Sequence, residues 1–191
     1  MPHHSQQALS QHQAFPGWSW VAVAVALPIA GYIGWKVGGP VDTVETALIG
    51  GTLTGAGFAA VQWWAAKGAL GRAAAWISAS AVGYGVGLAA GAALVGYDTD
   101  IGALALMGLV SGVSLGAAQA LVLARQGKRR LAAAWGAAMP ALFALGWLAT
   151  TAIGVSVDNQ FTVFGAAGAL LFMLLSGLVL ARFSPSPTPV A

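Results

Sequence analysis

The sequence predicts an all-α, polytopic membrane protein with six transmembrane helices. Hydrophobic residues make up 58% of the 191 residues and charged residues 7%, and the mean hydropathy is +0.79. A water-soluble domain of this size needs more polar surface than this composition provides. Six apolar segments follow one another, each close to the roughly 20 residues that a helix needs to cross a bilayer.

The six predicted helices occupy the apolar segments, and the short interruptions between them hold nearly all of the charged residues. The segments span residues 18–36, 43–66, 73–96, 101–124, 131–155 and 161–182. None of them alternates polar and apolar residues as a membrane β-strand does. Because the interruptions are too short to hold a soluble domain, residues 18–183 are predicted to form one transmembrane domain.

The ends of the chain and of the helices carry recognisable signals. Residues 1–17 form a polar tail without Lys or Arg, so the first apolar segment is predicted to be a retained helix rather than a signal peptide. The second, fourth and sixth helices each follow an aspartate, whereas the third and fifth follow basic turns. Residues 184–191, SPSPTPVA, predict an extended and flexible tail.

Landmarks recur along the chain at nearly constant spacing. Asp42, Asp100 and Asp158 are 58 residues apart, and Trp18, Trp76 and Trp135 recur with almost the same period. This recurrence predicts three tandem two-helix repeats, at about 18–66, 73–124 and 131–182. Because each repeat would cross the membrane twice, the three would share one orientation and could surround a pseudo-threefold axis.

The charges predict the orientation in the membrane. Seven of the eight basic residues fall on one side of the six helices, namely Lys67, Arg72, Arg125, Lys128, Arg129, Arg130 and Arg182. Lys36 and all five acidic residues fall on the other side. The positive-inside rule therefore places both termini in the cytoplasm. Tryptophans near the basic helix ends predict an aromatic belt at the interface, formed by Trp18, Trp20, Trp63, Trp64, Trp76 and Trp135.

The three repeated aspartates have two interpretations. An aspartate before a helix can accept a hydrogen bond from the free N–H groups of its first turn, and DTVE at residues 42–45 fits a capping box. Alternatively, Asp42, Asp100 and Asp158 converge on the axis and form an outer, cation-attracting ring.

Polar residues within the predicted spans are few. Gln62 and Gln119 occupy matching positions in the second and fourth helices, where the sixth has Ser176. These side chains could fix helix packing through interhelical hydrogen bonds, or they could contact a polar ligand or line a pore. Glycines four residues apart predict close helix packing, at Gly51 and Gly55, at Gly83, Gly87 and Gly91, and at Gly108, Gly112 and Gly116.

The basic turn between the fourth and fifth helices, ARQGKRR, also has two interpretations. Its residues Arg125, Lys128, Arg129 and Arg130 could serve topology alone or could also contact anionic lipid headgroups.

Several kinds of chemistry are not expected. The chain has no cysteine, and its histidines, His3, His4 and His12, all fall in the N-terminal tail. Ser114 in the sequence GVSL therefore lacks a histidine base, and an intramembrane haem lacks its usual ligand. We expect no catalytic residues, no metal site, no cofactor and no nucleic-acid partner.

The repeating unit is a glycine-rich helix that ends in Gln, aromatic or Leu, and Arg, followed by a basic turn and a helix that begins near Trp. It occurs as GTLTGAGFAAVQWW and as GLVSGVSLGAAQALVLAR, and SGLVLAR is a third ending. The unit resembles that of a loose set of uncharacterised bacterial multi-spanning membrane proteins. The resemblance covers residues 50–182, and it implies a bacterial inner membrane protein without implying an activity.

The sequence thus predicts an integral membrane protein of structural or accessory type, which packs against itself, as a homo-oligomer, or against partner membrane subunits. One alternative is a small transporter or channel for a cation or small solute. A second alternative is a lipid- or pigment-binding membrane protein.

Overall fold

The structure, a computed structural model, describes residues 17–66 and 69–183 and contains six α-helices in these ranges. They are α1 (Gly17–Gly38), α2 (Val44–Ala65), α3 (Ala73–Leu94), α4 (Ile101–Arg125), α5 (Arg129–Ala152) and α6 (Ala166–Phe183). The prediction of an all-α chain with six helices is confirmed. Of the predicted tails, only Gly17 is among the described residues, and it is the first residue of α1. Lys67 also lies outside the described residues.

The six helices form a closed ring. Each packs against the next helix along the chain, and α6 returns to pack against α1. No other pair of helices packs as closely in the described part of the chain. Neighbouring helices run in opposite directions, so the loops after α1, α3 and α5 lie at one end of the ring. We call this the acidic end, because it carries all five acidic residues, and we call the other the basic end.

Glycines allow the helix backbones of the ring to approach each other closely. A Cβ atom on Gly112 of α4 would lie 2.5 Å from the carbonyl oxygen of Met139 in α5. A Cβ on Gly55 of α2 would similarly lie 2.6 Å from the carbonyl oxygen of Ser80 in α3. The glycine faces predicted from the sequence are therefore used within the chain itself.

Aromatic side chains fill the interior of the ring. Phe143 of α5 has its ring centroid 5.4 Å from that of Tyr84 in α3 and 5.1 Å from that of Phe172 in α6. Phe58 of α2 packs edge-on against Tyr84 at 6.0 Å. All four side chains are fully buried. Since α3 and α5 are not neighbours in the ring, the contact between Tyr84 and Phe143 crosses its interior.

A non-helical segment closes the interior at the acidic end. Residues 161–165, which we call the plug segment, precede α6, and three of them, Thr162, Val163 and Phe164, are buried. The Thr162 hydroxyl donates to the Gly31 carbonyl oxygen at 2.9 Å and lies 2.8 Å from the Thr54 hydroxyl. The Thr162 carbonyl oxygen accepts from the Tyr84 hydroxyl. Irregular backbone inside a membrane protein requires such partners.

The predicted start of the sixth helix at residue 161 is therefore wrong, because the plug segment occupies residues 161–165. The backbone N–H of Gly165 donates to the Thr150 hydroxyl at 3.1 Å, and α6 begins at Ala166. From Val163 onward, apolar residues and glycine continue from the plug segment into α6, and apolarity alone does not distinguish a helix from another buried segment.

Five helices, α2 to α6, are long and apolar enough to cross a membrane, with mean hydropathies from 1.3 to 2.0. The apolar stretch of α1, Val23–Gly38, is shorter. The outer surface of the ring is also apolar, since Val25, Val82 and Leu178 are each at least 60% exposed. A large exposed apolar surface indicates contact with lipid, and these observations identify a membrane protein.

Candidate functional site

Three tryptophans meet inside the basic half of the ring. Trp135 of α5 lies edge-on to Trp76 of α3 at a centroid distance of 5.9 Å and to Trp20 of α1 at 6.4 Å. All three are fully buried. The prediction that they belong to an interfacial belt is therefore wrong, because they face the interior. Trp64 is 66% exposed, as a belt residue would be, and the side chain of Trp18 lies outside the described side chains.

Gln119 links this tryptophan cluster to two neighbouring helices. Its side-chain nitrogen donates to the Ser80 hydroxyl of α3 at 2.8 Å. Its side-chain oxygen accepts from the indole N–H of Trp135 in α5 at 2.7 Å. A buried amide needs such partners, so Gln119 has the interhelical hydrogen bonds that the packing interpretation expects.

Gln62, the sequence counterpart of Gln119, has different surroundings. Its side chain is fully buried, and neither its nitrogen nor its oxygen has a hydrogen-bond partner. The indole N–H of Trp76 is also buried without a partner. Ser176, the third predicted position, donates to the Met173 carbonyl oxygen of its own helix at 3.3 Å. The structure therefore does not give these three residues equivalent roles.

Replacement by leucine should affect stability differently at the two glutamines. Gln119→Leu would leave the indole N–H of Trp135 and the Ser80 hydroxyl without their glutamine partner, and we expect the free energy of unfolding to fall by about 1–3 kcal/mol. Gln62→Leu removes two buried polar atoms that have no partner, so we expect stability to be unchanged or increased. Denaturation in mixed micelles of the two variants measures the difference. Equal destabilisation by both replacements would show that the Gln62 amide is hydrogen-bonded.

The aspartates at the acidic end are exposed and engaged locally. The Asp100 carboxylate caps α4 by accepting from the backbone N–H of Ala103 at 2.8 Å. Asp98 accepts from the backbone N–H of Asp100 at 3.0 Å and so shapes the preceding turn. Asp158 accepts from the Ser156 hydroxyl at 2.9 Å and lies well before α6, so the expectation that it caps this helix is wrong.

The capping box at the start of α2 is formed by other residues than predicted. Thr43 is the N-cap residue, and its hydroxyl accepts from the backbone N–H of Thr46 at 3.2 Å. The Thr46 hydroxyl in turn accepts from the backbone N–H of Thr43 at 3.2 Å. Asp42 accepts from the Thr46 hydroxyl at 3.2 Å and supports the cap from outside. The sequence favoured Asp42 and Glu45 because an aspartate and a glutamate fit the motif at the same spacing.

At the basic end, three of the four predicted lipid-contacting residues, Arg125, Arg129 and Arg130, are exposed. Lys128 is only partly exposed, and its ammonium group donates to the Ala69 carbonyl oxygen at 2.6 Å. Partial burial lowers the pKa of Lys128. This residue therefore connects the two loops of the basic end, a role that its position in a basic turn did not suggest.

The structure also contains a cavity that the sequence did not predict. Its volume is about 190 Å³, and it lies between α1, the end of α5 and the plug segment. Its lining includes Pro28, Gly31, Tyr32, Thr150, Val163 and Phe164. Only the meeting of these three elements creates the cavity, so no local sequence pattern signals it.

The buried polar residues of the described chain suit hydrogen bonding and packing rather than proton transfer. They are Thr54, Gln62, Ser80, Ser111, Gln119, Thr150, Thr162 and Ser176. Within residues 17–66 and 69–183, no group of three or more His, Cys, Asp or Glu side chains could hold a metal ion. The chain matches no protein-family model, no curated protein and no solved structure.

Proposed function

We propose that the protein is an integral membrane protein of structural or accessory type, without enzymatic activity. In this proposal all six helices cross a bacterial inner membrane, and the acidic end faces outward. Both termini lie in the cytoplasm, as the positive-inside rule requires for the exposed Arg125, Arg129 and Arg130. The exposed apolar surface contacts lipid and partner membrane subunits, or a second copy of the chain.

The filled interior of the ring is the observation that carries this proposal. Channels and transporters need a path or a polar site at mid-depth, commonly with ionisable groups or broken helices. In the described part of this protein, the buried interior holds aromatic rings and neutral polar side chains. The plug segment also closes the interior at the acidic end, where the Tyr84 hydroxyl donates a hydrogen bond to the Thr162 carbonyl oxygen.

Three tandem repeats remain part of the proposal. In support, a Cβ on Gly55 of α2 would lie 2.6 Å from the Ser80 carbonyl oxygen of α3, and a Cβ on Gly112 of α4, at the matching repeat position, would lie 2.5 Å from the Met139 carbonyl oxygen of α5. The interior tryptophans also come from α1, α3 and α5, the first helix of each proposed repeat. The plug segment distinguishes the third repeat from the other two.

A flux measurement tests the proposal against a cation channel or transporter. We expect proteoliposomes to show no more flux of monovalent cations, divalent cations or small solutes than protein-free liposomes. Replacing Asp42, Asp100 and Asp158 together by asparagine should leave this result unchanged. Selective flux that the triple replacement abolishes would instead establish the outer acidic ring and refute the structural role.

Cysteine labelling tests the proposed topology, and the absence of native cysteine makes single replacements unambiguous. In intact cells, a membrane-impermeant maleimide should label Thr99→Cys at the acidic end and should not label Gln126→Cys at the basic end. Labelling of both in intact cells would place both ends on the same side of the membrane and refute the proposed crossings.

A further inference from the structure

The cavity exists because α6 is too short to cover α1 along its whole length. At the basic half of the ring α6 reaches α1, where the Trp20 indole N–H donates to the Met173 carbonyl oxygen at 2.9 Å. At the acidic half the plug segment takes the place of α6, and it leaves about 190 Å³ unfilled beside α1. Tyr32 and Val155 on its rim are 53% and 41% exposed, so the cavity opens to the surface of the ring.

The lining of the cavity is suited to an apolar guest. Pro28, Val163 and Phe164 supply aliphatic and aromatic surface, and Gly31 supplies backbone without a side chain. Thr150 is a polar side chain in the wall, and its hydroxyl is already used. It donates to the Gly146 carbonyl oxygen at 2.9 Å and accepts from the Gly165 N–H at 3.1 Å. An apolar wall without free hydrogen-bonding groups offers water few partners and favours an apolar guest.

A positive charge lies next to the opening. The Lys36 ammonium group lies 5.5 Å from the ring centroid of Tyr32, which lines the cavity, and 5.0 Å from that of Trp35. Trp35 is fixed by its indole N–H, which donates to the Asn159 carbonyl oxygen at 2.9 Å, and by a ring contact with Phe161 at 5.3 Å. Lys36 is exposed, and of the eight Lys and Arg residues in the sequence it is the one assigned to the acidic end.

We propose that this cavity binds a segment of one acyl chain of an anionic phospholipid, whose phosphate pairs with Lys36. The inference rests on the proposed membrane placement, in which the opening faces the leaflet at the acidic end. A phospholipid combines the two required chemistries, since its chain matches the apolar wall and its phosphate matches the ammonium group. Aromatic rings and lysine at a membrane interface commonly sit at headgroup level, which fits Tyr32, Trp35 and Lys36.

Native mass spectrometry of protein released from lipid nanodiscs tests the proposal. With a mixture of phosphatidylglycerol and phosphatidylcholine, the wild-type protein should retain one lipid and should prefer phosphatidylglycerol. Val155→Trp places an indole at the rim and should lower the retained fraction about tenfold, because the chain loses its apolar wall contacts. Ile153→Trp is the matched control, because Ile153 is 64% exposed in the same turn but does not line the cavity, and it should retain lipid as the wild type does.

A charge variant tests the headgroup contact separately. Lys36→Gln should lower the preference for phosphatidylglycerol about fivefold while leaving phosphatidylcholine retention unchanged, since a basic residue near the membrane contributes about 1 kcal/mol toward anionic lipid. Arg125→Gln at the basic end should not change retention at this site. Soluble glycerol phosphate should not displace the lipid, since it lacks the acyl chain.

Equal lipid retention by the wild type and Val155→Trp, with unchanged headgroup preference in Lys36→Gln, would overturn the inference. If Val155→Trp does not fold, the headgroup preference of Lys36→Gln alone decides between the two outcomes. The cysteine-labelling result is independent of these variants. A correct topology without lipid retention would therefore refute the lipid site and leave the proposed function standing.

Discussion

Replacement of Trp135 by alanine is expected to lower the free energy of unfolding by about 3–5 kcal/mol. Trp135 is fully buried at the centre of the tryptophan cluster, where it contacts Trp20 and Trp76. The replacement leaves a cavity between α1, α3 and α5 that other side chains cannot fill. It also leaves the side-chain oxygen of Gln119 without the indole N–H of Trp135, which donates to it at 2.7 Å. Both effects act on the same region of the interior.

Equilibrium denaturation in mixed micelles, followed by circular dichroism, measures this effect. Trp64→Ala is the matched control, because it removes the same side chain from a position that is 66% exposed on α2. We expect the control to change stability by less than about 0.5 kcal/mol, as surface substitutions usually do. A comparable loss in both variants would mean that Trp135 does not hold the interior together.

Gly112→Leu is expected to destabilise the protein by about 3 kcal/mol, at the upper end of ordinary overpacking. A Cβ at this position would lie 2.5 Å from the Met139 carbonyl oxygen and 2.6 Å from the Pro140 Cα atom. Both are backbone atoms of α5, so the clash cannot be relieved by rotating a side chain. The helices α4 and α5 must separate, which removes the close packing along their contact.

The same denaturation measurement applies to Gly112→Leu, with Val113→Leu as the control. Val113 is 51% exposed on the outer surface of the same helix, so its replacement should have little effect. Leucine has a higher intrinsic helix propensity than glycine, and any loss in Gly112→Leu must therefore come from helix packing. Wild-type stability in this variant would show that α4 and α5 are less closely packed than the structure indicates.

The positions of most helices could be predicted from the sequence because charges and turn residues interrupt the apolar segments. The observed α4, Ile101–Arg125, differs by one residue from the predicted segment 101–124. The start of α6 could not be predicted in this way. Phe161, Val163 and Phe164 are as apolar as a helix in lipid would be, but the segment is not helical, and the hydrogen bonds that hold it reach Thr162 from distant helices.

The inward faces of the helices were harder to predict than their ends. In a soluble protein, polar residues mark the outer face of a helix, but in these helices both faces are apolar. Tryptophans near the basic helix ends therefore fit the interface and the interior equally well, and Trp76 and Trp135 proved to be interior. Gln62 and Gln119 match in the sequence, yet Gln119 is hydrogen-bonded to a serine and an indole N–H, whereas Gln62 has no hydrogen-bond partner.

The plug segment has a consequence for the order in which the chain assembles. Thr162 is held by Gly31 of α1, Thr54 of α2 and Tyr84 of α3, so residues made late in synthesis complete contacts for helices made early. Until the plug segment is made, the Tyr84 hydroxyl therefore lacks the Thr162 carbonyl oxygen as its acceptor, whereas Thr54 can still donate to the Gly50 carbonyl oxygen of its own helix at 2.7 Å. The plug segment thus connects the part of the chain before α6 to the first three helices.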